Sequence, residues 1–388
     1  MGWAARVLTL TAALAACDVP AEPPVGAPGT PLEGLLPEQR SRFLEGQRLF
    51  DLDFTPEEGL GPSYNQLRCS SCHDVPSRGG SGVELVRKAT RWSDGRCDLL
   101  EEEGGDNIQQ RTIEALREAG TTQEEMPASA THIVDLTAPA LYGLGLVEEI
   151  PEATLLALAD PHDADGDGIS GRPARTADGR VARFGQKGEA STLRGLVAGA
   201  LLQEMGLTTM LHPADLRVNG QSVEDFDDAP DPEVSEDLLD LLVAYVRYLS
   251  PIRPAEPVDA ADSIDVARGL DLFHDVGCAA CHVPVLETGP SEDPVLDRRK
   301  VLLYSDLLLH DLGDEVADVC GPGAMPSEVR TARLNGLRFR PMLMHDGRGS
   351  RLDAVIERHG GEAAPSRELF GRLAPDARAA LLRFLETL

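Results

Sequence analysis

The sequence predicts a mainly α-helical protein of two similar lobes, with long loops and an insertion in the first lobe. Three observations support this fold class. A Cys-x-x-Cys-His motif occurs twice in the 388 residues, at 69–73 and 278–282. A helical pattern ending in Gly-x-x-x-Phe precedes each copy, and an amphipathic helix closes each lobe.

The N-terminus is predicted to be an export signal. Arg6 supplies positive charge, a short apolar run follows, and Leu-Ala-Ala before Cys17 resembles a bacterial lipobox. Residues 1–16 would then be a lipoprotein signal peptide, with a lipid on Cys17 anchoring the protein to the membrane. Ordinary cleavage near Ala16 is the alternative. Residues 17–36, rich in Pro, Gly and Ala, are predicted to form a tether.

The two lobes are delimited by helices that repeat. Gly46 precedes Phe50 in the first helix just as Gly269 precedes Phe273 in the second lobe, and this helix resembles the first helix of a cytochrome c domain. A proline-rich linker separates the lobes. The predicted division is two cytochrome c-like lobes, at residues 37–250 and 258–388.

The Cys-x-x-Cys-His motif attaches haem: two thiols form thioethers and the histidine ligates the iron. A zinc pair or redox dithiols are the alternatives. Two copies after similar helices favour two covalently bound haem c groups, one in each lobe. The attachment cysteines are Cys69, Cys72, Cys278 and Cys281, and the iron ligands are His73 and His282.

Charge and cysteine content restrict the partners. The net charge of −29 excludes a nucleic-acid backbone as a natural partner and suits a basic electron carrier, although an acidic surface also serves solubility. Beyond Cys17 and the four haem cysteines, Cys97 and Cys320 remain. In an exported protein they can form a disulfide between the lobes, and two free thiols are the alternative.

An acidic loop in the first lobe predicts a calcium ion. Asp163, Asp165 and Asp167 alternate with small residues and are followed by Gly168. The twelfth position is Ala174 rather than an acid, so the loop is not an EF-hand but resembles shorter calcium loops of exported proteins. An acidic, glycine-rich surface turn is the alternative.

Several sequence blocks together resemble one family, the bacterial di-haem oxidoreductases, which are related to the di-haem cytochrome c peroxidases. The resemblance extends from about residue 40 to the C-terminus. The blocks are Gly59-Leu-Gly-Pro62 with Asn65, Arg183-Phe-Gly185, Tyr304 to Gly313, Ser327 to Thr331, His345-Asp-Gly-Arg348 and His359 to Ala363.

This resemblance implies different sixth ligands for the two irons. In the peroxidase relatives, the second haem takes its distal ligand fourteen residues after the histidine of an H-x-G block. That spacing leads from His345 to His359, with His345 as the other candidate. For the first haem, Met126 and His132 lie in no ligand motif, so we expect an open iron that binds peroxide.

The resemblance also suggests residues for proton and electron movement at the first haem. Glu125 resembles an acid of the peroxidases, and Gln109 or Gln110 lies in a family-like Gly-Gly-x-x-x-Gln block. Trp92 resembles a tryptophan that lies between the haems of the peroxidases. Surface polarity and core packing are the alternatives.

We therefore expect a peroxidase-like oxidoreductase on the periplasmic side of a bacterial cell envelope. Electrons from a small donor protein or a quinol-linked carrier would enter at the second haem. They would reduce a small oxidant such as peroxide at the first. The alternatives are a pure electron-transfer cytochrome with both irons six-coordinate, and an accessory to metal uptake.

Overall fold

A computed structural model describes residues 20–23 and 25–388, so the predicted signal peptide and Cys17 lie outside the described residues. Ten α-helices and twelve short strands occur in this part of the chain. The helices are α1 Pro37–Phe50, α2 Glu114–Glu118, α3 Leu144–Glu148, α4 Glu152–Leu158, α5 Leu193–Met205, α6 Glu236–Tyr248, α7 Ala260–Asp275, α8 Leu352–Ile356, α9 Ala364–Arg372 and α10 Pro375–Leu385. The strands are β1 Ser63–Tyr64, β2 Leu85–Ser93, β3 Arg96–Asp98, β4 Asn107–Ile108, β5 Arg111–Thr112, β6 His132–Thr137, β7 Ala174–Arg175, β8 Val181–Ala182, β9 Val285–Glu287, β10 Lys300–Leu302, β11 Leu309–Asp311 and β12 Glu328–Arg330.

The Gly-x-x-x-Phe repeat lies where the first and last helices of each lobe cross. A Cβ on Gly46 of α1 would lie 2.0 Å from the Leu241 carbonyl oxygen of α6, so only glycine permits this approach. A Cβ on Gly269 of α7 would likewise lie 2.2 Å from a carbonyl oxygen of α10. One turn later, Phe50 packs on Tyr245 and Phe273 on Phe384, with ring centroids 4.8 and 5.4 Å apart.

The first lobe contains a sheet that the mainly α prediction does not include. Strand β2 pairs antiparallel with β3, β4 and β6, and the remaining strands form two-stranded pairs. Helix accounts for 32% of the chain and strand for 15%, so "mainly α" holds only loosely. The strand was not predicted because β2 carries the charged residues Arg87, Lys88 and Arg91, and its residues do not alternate cleanly between buried and exposed.

Apolar side chains form two principal cores. The larger one extends from Leu32 to Leu307 and so includes residues on both sides of the proline-rich linker. The smaller one surrounds Phe273 and Phe384 and includes Cys278 at its edge. A Cys97–Cys320 disulfide, with Cα atoms 5.7 Å apart, joins β3 to the segment before β12, which confirms the predicted bridge.

The described part of the predicted tether lies against the protein instead of forming a free spacer. Leu32 is buried and its amide donates to the Tyr248 carbonyl oxygen, while Ala21 pairs with Arg299. None of the helices in the described ranges combines the length and hydropathy that crossing a bilayer requires.

Candidate active site

The first Cys-x-x-Cys-His motif is a single helical turn. Cys69–Ser71 is a 3₁₀ turn, and the amides of Cys72 and His73 both donate to the Cys69 carbonyl oxygen. His73 Nδ1 lies 3.0 Å from the Gly80 carbonyl oxygen, and its ring packs 6.2 Å from Phe50 of α1. Burial lowers the pKa of His73, with carbonyl contacts from Gly80 and Pro139 opposing the shift. The result is a neutral imidazole whose Nδ1 is held by the backbone.

The second motif repeats this geometry. Cys278–Ala280 is a 3₁₀ turn, and the His282 amide donates to the Cys278 carbonyl oxygen. His282 Nδ1 lies 3.0 Å from the Tyr304 carbonyl oxygen. Burial, and then the nearby charge of His359, lowers the pKa of His282 to about 4. The two imidazoles thus interact electrostatically, and the shared iron that the sequence predicts for them stays a prediction.

His359 is oriented like the two motif histidines. Its Nδ1 lies 3.0 Å from the Val355 carbonyl oxygen, and burial lowers its pKa. With Nδ1 held by a carbonyl oxygen, the Nε2 of each of these rings is the nitrogen left to bind a metal. The Nε2 of the other candidate ligand, His345, lies 2.8 Å from an Asp318 carboxylate oxygen but makes no hydrogen bond there, so His345 stays a candidate. Lys187 pairs with the same carboxylate.

The motif cysteines fit thioether formation better than zinc binding. All four are free of disulfides. Burial raises the pKa of the Cys69 and Cys72 thiols to about 12 and that of Cys278 to about 11, which disfavours a reactive redox thiolate. A structural zinc site has four ligands, whereas each motif supplies two thiols and one imidazole. Cys281 lies near Asp306 and His310, but both nitrogens of His310 already face carboxylates. The donor set of each motif, two thiols and one oriented neutral imidazole, therefore fits haem c.

His310 is a buried imidazole between two carboxylates beside the second motif. Its Nε2 lies 2.8 Å from Asp306 and its Nδ1 2.8 Å from Glu362, and Cys281 Sγ is 3.8 Å away. Burial alone would lower the pKa of His310, but Asp306, Cys281 and Glu362 raise it to about 12. His310 is thus an imidazolium at neutral pH. Sequence reasoning left it without a firm role because its partner Glu362 lies 52 residues away in the chain.

The acidic loop is connected to this imidazolium. Asp163, Asp165 and Asp167 each offer a carboxylate oxygen within 4.8 Å of the others. Beyond the loop, the Ser170 hydroxyl and amide donate to Glu362, which also accepts from the Asp311 amide. Glu362 therefore links the loop to His310 and to the second motif.

The three residues proposed for proton and electron movement lie apart from one another. Glu125 is exposed, whereas its neighbour Glu124 is buried, which raises the pKa of Glu124 to about 8. Gln109 is buried, and its amide nitrogen donates to the Gln203 carbonyl oxygen of α5. Trp92 lies in β2 opposite Cys97, next to the disulfide between the lobes.

A buried carboxyl that sequence reasoning missed lies near the first motif. Glu204 of α5 accepts hydrogen bonds from the side-chain amides of Asn65, at 2.9 Å, and Asn107, at 3.1 Å. Its charge is among the causes that raise the pKa of Cys72, so the two side chains are close, and burial raises the pKa of Glu204 itself. The available signal was its place as the one acid in an otherwise apolar helix.

A protein with two such haem sites in one chain belongs to the class of di-haem proteins. Residues 133–388 match the family described as "Di-haem oxidoreductase, putative peroxidase". This match covers more than half of the chain, so the chain belongs to that family, and by family it is a haem-dependent oxidoreductase. The first Cys-x-x-Cys-His motif precedes the matched residues.

The chain is also similar to several known proteins. The methylamine utilization protein MauG of Methylorubrum extorquens is 30% identical over 138 residues, which are 32% of this chain and 34% of MauG. The match thus spans about a third of that curated relative. Among solved structures, the Kuenenia stuttgartiensis hydrazine synthase has a TM-score of 0.43 at 16% identity, with 100% of both chains covered. The diheme peroxidase BthA of Burkholderia thailandensis has a TM-score of 0.40 at 16% identity, covering 90% of this chain and 86% of its own.

The link between His310 and Glu362 yields a pH-dependent prediction. Burial alone would raise the pKa of Glu362, but bonds from His310, Ser170 and Asp311 lower it from 4.5 to about 2. Its stabilising contribution is therefore present above pH 4.5 and is lost as the pH falls towards 2. The raised pKa of His310 has the opposite sign: its contribution is complete below pH 6.5 and is lost as the pH rises towards 12.

We therefore expect Glu362→Gln to destabilise the protein most between pH 4.5 and 6.5, by about 3 kcal/mol, because it breaks a buried pair. Denaturant unfolding of wild type and variant across pH measures this difference. Glu368→Gln is the matched control, since it removes an exposed ion pair with Arg372 and should cost less than about 1 kcal/mol. A loss that does not vary with pH would contradict the prediction.

Proposed function

We propose that this chain is a peroxidase-like enzyme that reduces a small oxidant such as peroxide at the Cys69–His73 site. Electrons from a small donor enter at the Cys278–His282 site. The observation that carries the proposal is the difference between the two histidine environments. The charge of a second imidazole, His359, acts on His282, and the Nδ1 of His359 is held by the Val355 carbonyl oxygen. Within the described residues, the groups that shift the pKa of His73 are the Gly80 and Pro139 carbonyls and Asp74, and they include no histidine.

The chain's own residues would bind both cofactors. The thiols of Cys69, Cys72, Cys278 and Cys281 attach them, and the Nε2 atoms of His73, His282 and His359 ligate metal. Haem c, when bound, supplies one-electron chemistry and, at an iron with an open position, a place for a small oxidant. If His359 fills that position at the second site, the first site remains for the oxidant.

Glu204 is the carboxyl that we propose for proton movement at the first site, in place of the exposed Glu125. Reduction of peroxide requires a group that carries a proton to the departing oxygen. The charge of Glu204 acts on Cys72, its carboxylate is oriented by the amides of Asn65 and Asn107, and burial raises its pKa. Gln109 belongs to the same buried region, through its bond to α5.

The ferric protein tests the proposed function. We expect one high-spin and one low-spin haem by optical and EPR spectroscopy, and His359→Ala should convert the low-spin haem to high spin. His345→Ala tests the other candidate ligand and should leave both signals unchanged, because the proposal assigns this ligand to His359. Conversion to high spin in His345→Ala alone would assign it to His345. Two low-spin haems that persist after one-electron reduction would instead establish a pure electron-transfer cytochrome.

Peroxide turnover tests the proton donor in the same preparations. Glu204→Gln should lower turnover about a hundredfold, the low end for loss of general acid–base catalysis, without changing haem content. Glu125→Gln should leave turnover unchanged, because that side chain is exposed. Equal effects of the two substitutions would assign the acid role elsewhere.

We also propose that the loop of Asp163, Asp165 and Asp167 binds one calcium ion. Its three carboxylate oxygens lie within 4.8 Å of one another, which suits a hard cation. Chelation should lower the thermal midpoint of wild type by several degrees, since an ion that binds only the folded state stabilises it. It should leave an Asp165→Asn variant unchanged. An unaltered wild-type midpoint would argue against the ion.

The net charge and the disulfide support a proposal for the protein's location and its electron donor. We propose a lipid anchor on Cys17 that holds the protein on the periplasmic side of the membrane, where a small cytochrome or quinol-linked carrier reaches it. The Cys97–Cys320 bridge supports an oxidising compartment, and the net charge of −29 suits a basic donor. A Cys17→Ser variant should move from the membrane to the soluble fraction.

A further inference from the structure

Three half-buried arginines form no ion pair with an acid of the described residues. Arg330 Nε donates to the Gly185 carbonyl oxygen at 2.6 Å, and Arg333 donates to the carbonyl oxygens of Ala140 and Tyr142. Arg340 donates to the carbonyl oxygen of Arg333. Each of these contacts is to a neutral backbone group. In the described part of the chain, none of the three forms an ion pair with an acid, unlike most of the other arginines there.

The three guanidinium groups repel one another. Burial, followed by the charges of Arg330 and Arg340, lowers the pKa of Arg333 to about 9. Burial and Arg330 lower the pKa of Arg340 to about 10. Burial also lowers the pKa of Arg330, with the charges of Glu189 and Asp306 opposing the shift. Half-buried cations of one sign that repel one another are stabilised by an anion.

Donor capacity remains for that anion. A guanidinium offers five N–H donors, and one Nη of Arg330 is buried without an acceptor. The fork of such donors matches a carboxylate with two parallel hydrogen bonds. An orphaned donor beside two further cations therefore points to an acidic ligand.

The cluster lies between the two haem sites. Arg333 is held by Ala140 and Tyr142, which follow Pro139, and the Pro139 carbonyl contacts His73. The next residue, Leu334, donates its amide to the Leu303 carbonyl oxygen at 3.2 Å. Leu303 precedes Tyr304, whose carbonyl holds His282. One short segment thus reaches the backbone that orients both histidines.

We propose that Arg330, Arg333 and Arg340 form an anion cradle that binds haem propionate carboxylates between the two sites. This inference rests on the proposed function, since it requires haem at the motifs. The propionates neutralise the cluster, and the cluster orients the haem edges towards each other. A fixed positive charge beside a haem stabilises the reduced, more negative form and raises its reduction potential.

Redox titration and resonance Raman spectroscopy of the full-length holoprotein test the cradle. In Arg333→Gln, the ratio of reduced to oxidised haem at a fixed potential should fall about tenfold, the effect of one charge about 12 Å away at an effective dielectric near 20. The propionate bending modes should shift in the same variant. Arg333→Lys should retain the ratio but shift these modes, because lysine keeps the charge without the fork.

Arg338→Gln is the matched control. Arg338 belongs to the same segment, but it donates to the carbonyl oxygens of Thr387 and Leu388, and burial alone lowers its pKa. It should leave both readouts unchanged. Arg340→Gln repeats the test if Arg333→Gln does not fold.

Three outcomes would overturn the inference. If Arg333→Gln and Arg340→Gln both retain two haems and give the redox titration and Raman spectra of the wild type, the cradle alone is refuted. If the reduction potential of the wild-type haems changes with the concentration of added chloride or phosphate, the cluster binds a free anion instead. A wild-type protein without covalent haem would refute the proposed function and the cradle with it.

Discussion

Each lobe depends on the close crossing of its first and last helices at a glycine. At Gly46 and Gly269 a carbonyl oxygen of the partner helix occupies the space that a Cβ would need, so any side chain would separate the helices. The phenylalanine one turn later then packs on the closing helix. In the first lobe the same ring also lies against His73. The crossing thus positions the ligand histidine as well as the core, which explains why these two residue types recur in both lobes.

Buried charge is treated in two different ways around the sites. His310 carries its charge between Asp306 and Glu362, so the protein itself compensates it. Lys187 is compensated in the same way by Asp318. Arg330, Arg333 and Arg340 are half-buried and form no such ion pair in the described residues, although burial lowers the pKa of each. This contrast supports the proposal that the three arginines bind an anion from outside the chain.

The sequence predicted the features that are local in the chain or repeated in it. The two motifs, the paired helices and the Cys97–Cys320 bridge follow from spacing and residue type, and the bridge is confirmed. The family resemblance also led to His359, whose charge acts on His282. The sheet around β2 was missed because its strands pair over long separations and carry charged residues that obscure a period of two. Glu204 was missed for a related reason: its partners Asn65 and Asn107 lie about a hundred residues or more away in the chain.

The two sites share one construction and differ outside the repeat. In both, a 3₁₀ turn presents the cysteines and a backbone carbonyl holds the histidine Nδ1, so the repeated lobe determines only the proximal side. The second site gains its imidazole from the segment after α8, close to the residues that carry Glu362. Glu204 of α5 and the amides of Asn65, just after β1, and Asn107 of β4 lie instead near the first motif. A basic ligand suits an iron that only passes electrons, whereas a carboxylic acid suits a position where an oxygen must accept a proton. The proposed division of roles between the haems would therefore arise from segments outside the repeated motif, and not from the motif itself.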